Sequence, residues 1–347
     1  MTWPFSVVDL TVTEKCNMSC SYCYHSADRP RTSKPREMPL EIGKRVIDLI
    51  FTVNKPRRLN FFGGEPLLVW DKIQELVRYA QTKGKFRWGV TTNLMLLEEE
   101  MIPFFKRTGG GVHCSIDGTP EVMDQQRPFS QPAVEWLPGK VAIAREITPN
   151  DTARMTVLPG SKLFRDIGYV LTLGFQKIAP VPAFEAGWNL KDWNGLDAQM
   201  GLVSEWYIYS RPRGFYVKFL EDSLRALNRK KLRQTRCGAA RTLVAVDADG
   251  RITPCHRFSA THKNDLVLGN VQDSEWDFSK YDDFLLPINR KQGCHACEAR
   301  WLCAQGCPSV NYEASGAVML GTPEQCQFAR LSMKHARMIQ APLQEQK

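Results

Sequence analysis

The chain has 347 residues, of which 43% are hydrophobic and 24% charged, and its formal net charge is +9. This composition is that of a folded globular protein and excludes a disordered chain, a collagen-like chain and a coiled coil. The apolar runs are shorter than the ~20 residues of a membrane span, and no signal-peptide pattern is present at the start, so we expect a cytoplasmic protein. The basic residues are scattered without a nucleic-acid-binding motif, so neither a nucleic acid nor a membrane is an expected partner.

Strand-like runs alternate with amphipathic helical patterns over the first two thirds of the chain, which predicts a parallel α/β fold. The predicted strands cover residues 6–13, 58–62, 87–92, 112–116, 153–158 and 176–180. The predicted helices cover residues 40–53, 70–83, 98–107, 134–147, 162–173, 196–209 and 215–229, and Pro138 and Gly139 are expected to break the fourth one. Six strand–helix units are too few for a closed eight-stranded barrel, so we expect an open, partial (β/α)6 barrel related to the TIM barrel.

The character of the sequence changes near residue 233. Residues 242–254 alternate around an Asp-Ala-Asp-Gly turn and predict a β-hairpin, and residues 324–339 predict a closing helix. We therefore expect a barrel domain over residues 1–232 and a small cysteine-rich domain over residues 233–347. The second domain has few large apolar residues, so its stability is expected to depend on metal ligation.

Eleven cysteines are the unusual feature of the composition. An odd number without an export signal does not fit a closed set of disulfides and favours metal sites. Cys114 stands alone and is expected to be a buried thiol. The others form an N-terminal group and a C-terminal group: Cys16, Cys20 and Cys23; then Cys237, Cys255, Cys294, Cys297, Cys303, Cys307 and Cys326.

The N-terminal group directly follows the first predicted strand, at the end where barrel enzymes carry their active sites. Three thiolates at this short spacing can ligate three irons of a [4Fe–4S] cluster and leave the fourth iron open to a small molecule. The alternative is a zinc site that His25 completes.

The triad, with Tyr22 before its last cysteine, resembles the signature of the radical S-adenosylmethionine (SAM) superfamily. A Gly-Gly-Glu-Pro segment at residues 63–66 follows the second predicted strand; in that family its backbone approaches the methionine part of SAM, because glycine lacks a Cβ. The resemblance implies that the open iron binds SAM and that the reduced cluster cleaves it to a 5′-deoxyadenosyl radical, which abstracts hydrogen from the substrate. It implies these SAM contacts: Tyr22, Gly63, Gly64, Glu65, Pro66, Thr92, Asn93, Ser115, Asp117, Arg127 and Met155.

Several of these assignments have alternatives. Residues 91–93 can equally be a simple turn at the end of the third strand, and Met155 can be an ordinary core residue. Arg127 belongs to a segment similar to a His-Asp-x-x-Arg pattern of the family, with Met123 in place of the histidine.

The C-terminal cysteines are spaced like those of the SPASM extension, which holds two auxiliary iron–sulfur clusters in radical SAM enzymes that modify peptides or proteins. By this resemblance Cys294, Cys297, Cys303 and Cys326 ligate one [4Fe–4S] cluster, and Cys237, Cys255 and Cys307 ligate the other. Many relatives have a further cysteine where this chain has Leu243, so one iron of the second cluster is expected to be open. His256 is either a neighbour of that iron or only a polar loop residue, and a zinc ribbon is the alternative to the clusters.

The resemblance implies a maturase that forms a carbon–carbon, ether or thioether crosslink in a ribosomally made peptide. The alternative enzyme is an anaerobic sulfatase-maturing enzyme, which forms formylglycine; those relatives have an aspartate where this chain has His256. A crosslinking reaction also needs a proton acceptor, for which Glu185 is the candidate catalytic residue.

The expected partners are a peptide substrate and a reducing flavodoxin or ferredoxin. Only 15 residues precede Cys16, so a separate peptide-recognition protein is a further candidate. The non-enzyme alternative is an iron–sulfur electron carrier or a zinc-binding scaffold, neither of which would use the Gly-Gly-Glu-Pro segment or the Ser-Ile-Asp-Gly segment at residues 115–118.

Overall fold

The computed structural model describes residues 3–24, 34–210, 214–229, 237–260, 266–285 and 294–345. They form two compact units that interleave along the chain. The first unit comprises Met1–Ser115, Asp124–Asp151 and Gly238–Leu285, and the second comprises Ile116–Met123, Thr152–Cys237 and Leu286–Lys347. No helix within these described ranges has the length and apolar character to cross a membrane.

Each unit contains its own β-sheet. The strands are β1 (Val7–Thr13), β2 (Arg58–Gly63), β3 (Arg87–Thr92), β4 (Gly110–Cys114), β5 (Thr152–Val157), β6 (Lys177–Pro182), β7 (Tyr216–Val217), β8 (Leu243–Val246), β9 (Arg251–Thr253) and β10 (Gly269–Asn270). The first unit has a seven-stranded sheet in the order β10-β9-β8-β1-β2-β3-β4, and the second has a three-stranded sheet in the order β5-β6-β7. Strands β1 to β4 are mutually parallel, as are β5 to β7, which confirms the predicted α/β class.

Helices connect and cover these strands. They are α1 (Leu40–Phe51), α2 (Trp70–Lys83), α3 (Ile102–Thr108), α4 (Pro120–Gln126), α5 (Ala133–Ile147), α6 (Leu163–Thr172), α7 (Leu190–Ser210), α8 (Lys218–Arg229), α9 (His256–Ala260), α10 (Asp282–Leu285), α11 (Pro308–Ser315) and α12 (Pro323–Glu345). Short 3₁₀ turns occupy Pro66–Val69, Glu99–Met101 and Phe278–Tyr281.

The central strand β1 is buried on both faces. Val8, Leu10 and Val12 are fully buried on one face, whereas the residues between them on the other face are the polar Asp9 and Thr11. Successive side chains of a strand point to opposite faces of the sheet, so one face of β1 is apolar and the other face is polar. On the polar face the Asp9 carboxylate contacts His256 and Asn60.

The predicted hairpin is confirmed, because β8 and β9 pair antiparallel. The hairpin does not stand apart from the first sheet, however: β8 pairs parallel with β1, with Val7 opposite Leu243 and Leu10 opposite Val246. Local sequence patterns predict a strand but not its distant neighbour, so this extension of the sheet was not expected. The division of the chain at residues 232 and 233 into two family domains stays a prediction.

The predicted break in the fourth helix is wrong, since α5 runs without interruption through Pro138 and Gly139. Trp136, Leu137 and Val141 are buried and hold the helix against the core, whereas Pro138 and Gly139 are exposed. The hydrogen bond that proline removes therefore lies on the solvent face, where water satisfies the free carbonyl. Helix α4 and the short strand β7 were also missed.

An ion pair joins helices α7 and α12 within the second unit. His335 is buried, and its Nε2 lies 2.7 Å from Asp197 Oδ1, while Lys334 donates to Asp197 Oδ2 at 2.5 Å. Burial lowers the pKa of His335, and the hydrogen bonds from Lys334 and His335 lower the pKa of Asp197 against the opposing effect of burial. Both groups therefore hold fewer protons in the folded chain than in the unfolded chain.

Acidification should consequently weaken this unit. Stability rises with pH wherever the unfolded state binds more protons, so His335 costs stability as the pH falls below about 6.5, and Asp197 adds to the loss at lower pH. We expect the melting temperature to fall between pH 7.5 and 5.5, and to fall less in a His335→Gln variant, as scanning calorimetry would record. An equal fall in both proteins would contradict this role of His335.

Candidate functional site

Two glycines join the end of β2 to the loop that leads into the N-terminal cysteines. The Gly64 N–H donates to the Thr13 carbonyl and the Glu65 N–H donates to the Lys15 carbonyl, each at 2.8 Å. A Cβ on Gly64 would lie 2.1 Å from the Lys15 carbonyl oxygen, and one on Gly63, which has a φ of +141°, would lie 2.0 Å from the Thr13 carbonyl oxygen. These contacts are with backbone, which cannot move aside cheaply, so both glycines fix the path of the chain into Cys16.

The Glu65 carboxylate ties the ends of β2 and β3 together. It is buried and accepts hydrogen bonds from the Leu67 N–H at 3.1 Å, the Thr92 hydroxyl at 2.8 Å and the Asn93 N–H at 2.9 Å. Burial raises the pKa of Glu65 to about 7, although these three donors and Arg127 act in the opposite direction. The structure thus brings Glu65, Thr92 and Asn93 together, and their contact with SAM stays a prediction.

Asn93 extends this arrangement to the cysteine loop. Its Nδ2 donates to Asn17 Oδ1 at 2.8 Å, and Asn17 directly follows Cys16. Its own Oδ1 accepts the Met95 N–H at 3.1 Å, which stabilises the turn after β3. The turn and the functional interpretation of residues 91–93 are therefore compatible, because the turn is what holds the amide against the loop.

A Glu65→Gln variant should test the buried carboxylate. The amide can accept the Leu67 and Thr92 donors through its oxygen, but its NH₂ group would then face the Asn93 N–H, leaving a buried donor without an acceptor. We expect the free energy of unfolding to fall by about 1–3 kcal/mol at pH 8, measured by urea denaturation. The exposed Glu135→Gln change on α5 is the matched control, and equal stability of the two variants would contradict the prediction.

The three N-terminal cysteines occupy an irregular loop that other parts of the first unit hold. None of the three forms a disulfide; Cys16 is exposed and the other two are half-buried. The Cys23 N–H donates to the Cys20 carbonyl at 3.1 Å. Partial burial, followed by the nearby charges of Glu65 and Cys23, raises the pKa of the Cys16 thiol. Three thiols with no carboxylate or imidazole among them fit a soft metal centre such as an iron–sulfur cluster; His25, of the zinc alternative, lies outside the described residues.

Tyr22 and Arg127 meet in this loop. The Arg127 guanidinium lies 5.4 Å from the centre of the Tyr22 ring, and the Ser21 N–H donates to the Gln126 carbonyl at 3.0 Å. The end of α4 therefore anchors the cysteine loop. Arg127 has an evident structural task here, and its predicted contact with SAM remains a prediction.

The segment after β4 continues into the second unit, where Asp117 is buried. Its Oδ1 accepts the Thr156 N–H at 2.8 Å, and its own N–H donates to the Met123 sulfur at 3.3 Å. Met123, which stands where the family pattern has histidine, therefore supports the Asp117 backbone. Met155 is buried on β5, as either of its two interpretations requires, and Ser115 donates its N–H to the Thr92 carbonyl at 3.1 Å.

Four cysteines of the C-terminal group line a single cavity of about 50 Å³, which we call the four-thiol cavity: Cys294, Cys297, Cys303 and Cys326. Burial, then the neighbouring Cys303, and further Cys294 and Cys297 raise the pKa of the Cys326 thiol, while Arg330 lowers it. These are the four residues predicted to hold one auxiliary cluster, and a donor set made of thiols alone fits that role. Among the described residues, no group of three or more His, Cys, Asp and Glu is arranged to hold a single metal ion.

A buried amide network supports the loop between Cys303 and Cys307. The Cys303 sulfur accepts the Gln305 N–H at 3.3 Å, and the Cys307 N–H donates to Gln325 Oε1. Gln325 Nε2 donates to Asn311 Oδ1 at 2.7 Å, and Asn311 Nδ2 in turn donates to the Gln305 carbonyl at 2.8 Å. Sequence reasoning missed both amides, because nothing near a lone Asn or Gln marks it as a loop support.

The cysteines predicted for the second auxiliary cluster belong to both units. Cys255 lies in the first unit, and Cys237 and Cys307 lie in the second, so their shared role stays a prediction. Leu243 lies in β8 opposite Val7, so an aliphatic side chain stands at the position where the resemblance led us to look for a further cysteine.

His256 packs against the sheet of the first unit. Its Nδ1 lies 2.8 Å from Asp9 Oδ2, and its ring stacks on Phe62 with the ring centres 4.5 Å apart. The other Asp9 oxygen accepts Asn60 Nδ2 at 2.8 Å. His256 is thus held by the polar face of β1 and β2, whichever role it has beside Cys255.

Two further predicted residues have different surroundings. Cys114 is buried, as expected, and its N–H donates to Asp151 Oδ2 at 3.1 Å. Glu185 is exposed in the turn after β6, where the Ala186 N–H donates to the Ala183 carbonyl at 3.1 Å. The catalytic role of Glu185 stays a prediction.

The fold and the two cysteine centres define an enzyme class. A family model of the Radical SAM superfamily matches residues 10–163, and a model of the SPASM iron–sulfur cluster-binding domain matches residues 237–298. The chain therefore contains a radical SAM domain and a SPASM domain.

Sequence relatives leave the particular activity open. An uncharacterised protein of Archaeoglobus fulgidus is 26% identical over 94% of this chain and 80% of its own length. The Fe-coproporphyrin III synthase of Methanosarcina barkeri is 36% identical, but the match covers only 35% of this chain and 29% of that protein.

Solved structures extend the likeness in fold to almost the whole chain. The structure of native anSMEcpe with bound AdoMet has a TM-score of 0.79 at 18% identity and covers 98% of this chain and all of its own. Streptococcus suis SuiB bound to its precursor peptide SuiA has a TM-score of 0.66 at 12% identity and covers 93% of this chain and 76% of its own. At these identities the likeness concerns the fold.

Proposed function

We propose that this chain is a radical SAM enzyme that forms a carbon–carbon, ether or thioether crosslink between two side chains of a ribosomally made peptide. The four-thiol cavity is the observation that carries the proposal. An intramolecular crosslink removes two hydrogens from the peptide: one leaves as a hydrogen atom, and the other leaves as a proton and an electron, so the electron needs an acceptor. A cluster held by Cys294, Cys297, Cys303 and Cys326 would accept it.

The chain's own residues would then have distinct tasks. Gly63, Gly64 and Glu65 hold the loop of the N-terminal cysteines, at which SAM would be bound and cleaved. Asn311 and Gln325 hold the loop between Cys303 and Cys307. Cys237, Cys255 and Cys307 would ligate three irons of the second auxiliary cluster, which would be the third [4Fe–4S] cluster of the chain. Because residue 243 is leucine and not cysteine, the fourth iron of that cluster would be open.

A peptide substrate is supported by the fold neighbours. The anSMEcpe structure includes complexes with the Kp18Cys and Cp18Cys peptides, and SuiB was solved with SuiA. The fold, which these proteins share with this chain, therefore accommodates peptide substrates beside SAM.

The second candidate is formation of formylglycine in a sulfatase, which is favoured by the likeness in fold to anSMEcpe over 98% of this chain and all of that chain. Both reactions remove two electrons from a peptide. We place crosslinking first because His256, paired with Asp9, stands where the resemblance to sulfatase-maturing enzymes requires an aspartate.

The test starts from protein reconstituted anaerobically with iron and sulfide. We expect about twelve irons per chain and 5′-deoxyadenosine after reduction and addition of SAM. Peptides encoded beside the gene are then added, and a mass loss of two hydrogens without an aldehyde that a hydrazide probe can trap indicates a crosslink. A trapped aldehyde would favour formylglycine, and zinc in place of iron would contradict both proposals.

A further inference from the structure

We propose that a cavity at the amino-terminal ends of β2, β3 and β4 binds a small anionic ligand that carries a phosphate or carboxylate group. The cavity has a volume of about 460 Å³, within the ~300–1,000 Å³ typical of ligand pockets. We call it the arginine cavity. It lies within the first unit, and none of the cysteine, Gly-Gly-Glu-Pro or Ser-Ile-Asp-Gly motifs contributes to it.

The arginine cavity is at the opposite end of the strands from the proposed SAM site. Arg58 and Arg87 are the first residues of β2 and β3, whereas Gly63 and Thr92 are their last residues. Because the strands are parallel, the two ends are separated by the length of a strand. A ligand in the arginine cavity is therefore a second ligand and not part of SAM.

Two arginines carry the argument for an anion. Arg58 and Arg87 lie directly opposite each other in the β2–β3 register, where like charges repel. Within the described ranges neither guanidinium forms an ion pair with a carboxylate. Guanidinium groups bind carboxylate and phosphate oxygens through two parallel hydrogen bonds, so an anion bound between them would offset the repulsion.

The rest of the lining combines the polar residues Asn60, His113, Thr148 and Asn150 with Trp88, Ile147, Pro149 and three glycines, and it contains no acidic residue among the described residues that form it. The Thr148 hydroxyl oxygen accepts the Val112 N–H at 2.9 Å, so the hydroxyl hydrogen can be donated into the cavity. His113 is held by Asp151, with Nδ1 and Oδ1 3.0 Å apart, and Asp151 also accepts the Cys114 N–H. The two carboxylates that contact lining residues, Asp151 and Asp9, are both engaged: Asp151 with His113 and the Cys114 N–H, and Asp9 with Asn60 and His256.

Glycines keep the mouth of the cavity open. Gly110 and Gly111 lie opposite Trp88 and Gly89 in the β3–β4 register. A Cβ on Gly111 would meet nothing closer than 3.5 Å, and one on Gly109 would meet nothing within 4 Å. A larger side chain at Gly111 would thus occupy free volume without a backbone clash, which provides a way to block the cavity without changing its charge.

Calorimetric titration of the reconstituted holoenzyme, at constant ionic strength, tests the proposal. Pyrophosphate and succinate are the two probes, and they distinguish a phosphate ligand from a carboxylate ligand. We expect saturable binding of at least one probe and a loss of affinity of about 100-fold in the Arg58→Gln/Arg87→Gln variant, since two charge-assisted contacts disappear.

Two further variants make the test specific. Arg78→Gln/Arg107→Gln removes the same charge from the surfaces of α2 and α3, where both guanidinium groups lie over Phe104, and should bind like the unaltered protein. Gly111→Val keeps both cavity arginines and should bind weakly. The proposal would be overturned if neither probe bound saturably, or if the Arg58→Gln/Arg87→Gln and Arg78→Gln/Arg107→Gln variants bound the probe with equal affinity. It would also be overturned if chloride displaced the probe as effectively as unlabelled pyrophosphate or succinate does. Binding is measured without turnover, so the result does not depend on the crosslinking reaction.

Discussion

A Gly64→Ala variant is expected to lose 5′-deoxyadenosine formation by about 100-fold or more. The added methyl group would lie 2.1 Å from the Lys15 carbonyl oxygen and 2.8 Å from the Glu14 carbonyl oxygen. Since both neighbours are backbone, the chain leading into Cys16 must shift, and the three thiols would no longer converge. The iron content per chain and the rate of SAM cleavage, measured on the same preparation, should fall together.

Gly168→Ala is the matched control for that experiment. Gly168 lies in α6, and a Cβ there would meet nothing within 4 Å. Alanine is the better helix former, so this variant should keep its activity and gain about 0.5–1 kcal/mol of stability. Full iron content and an unchanged rate in Gly64→Ala would show that the close approach to Lys15 does not position the cysteine loop.

Cys303→Ala should separate the two cysteine centres. We expect a loss of about four irons per chain and of the crosslinked peptide, while 5′-deoxyadenosine is still formed, because the N-terminal thiols are untouched. Iron analysis, chromatography of the nucleoside and mass spectrometry of the peptide measure the three quantities.

The control for this variant is Cys114→Ala, which removes a buried thiol outside the four-thiol cavity and should leave the iron content unchanged. An unchanged iron content in Cys303→Ala would contradict the assignment of this cysteine as a ligand. Continued crosslinking in a protein that has lost the four irons would contradict the proposed electron acceptor. The analogous Cys307→Ala variant tests the second auxiliary cluster by the same iron count.

Much of the site was predictable because its signals are local. The spacing of the N-terminal cysteines and the periodicity of β1 to β4 are properties of short segments, and the structure has α2 and β3 at the predicted bounds. The glycines of the Gly-Gly-Glu-Pro segment were expected to admit a ligand. In the structure Gly63 and Gly64 admit the backbone of Thr13 and Lys15, and their contact with a ligand stays a prediction.

The features that sequence analysis missed depend on distant partners. His256 and Asp9 are 247 residues apart in the chain, and the sequence around either residue gives no signal that the two are in contact. The same holds for the three donors that surround Glu65 and for the amides of Asn311 and Gln325. The predicted helix break at Pro138 was wrong for a related reason, because the burial of Trp136 and Leu137 in the core outweighs the low helix propensity of proline.

The parallel pairing of β1 with β8 has a consequence for biosynthesis. One edge of β1 pairs with β2 soon after synthesis begins, but the other edge waits for residues 243–246. Until the ribosome has translated more than two thirds of the chain, the backbone N–H and C=O groups of that edge are unpaired and can pair with a strand of another chain. Premature termination before β8 should therefore yield aggregates, and chaperone demand should peak late in translation.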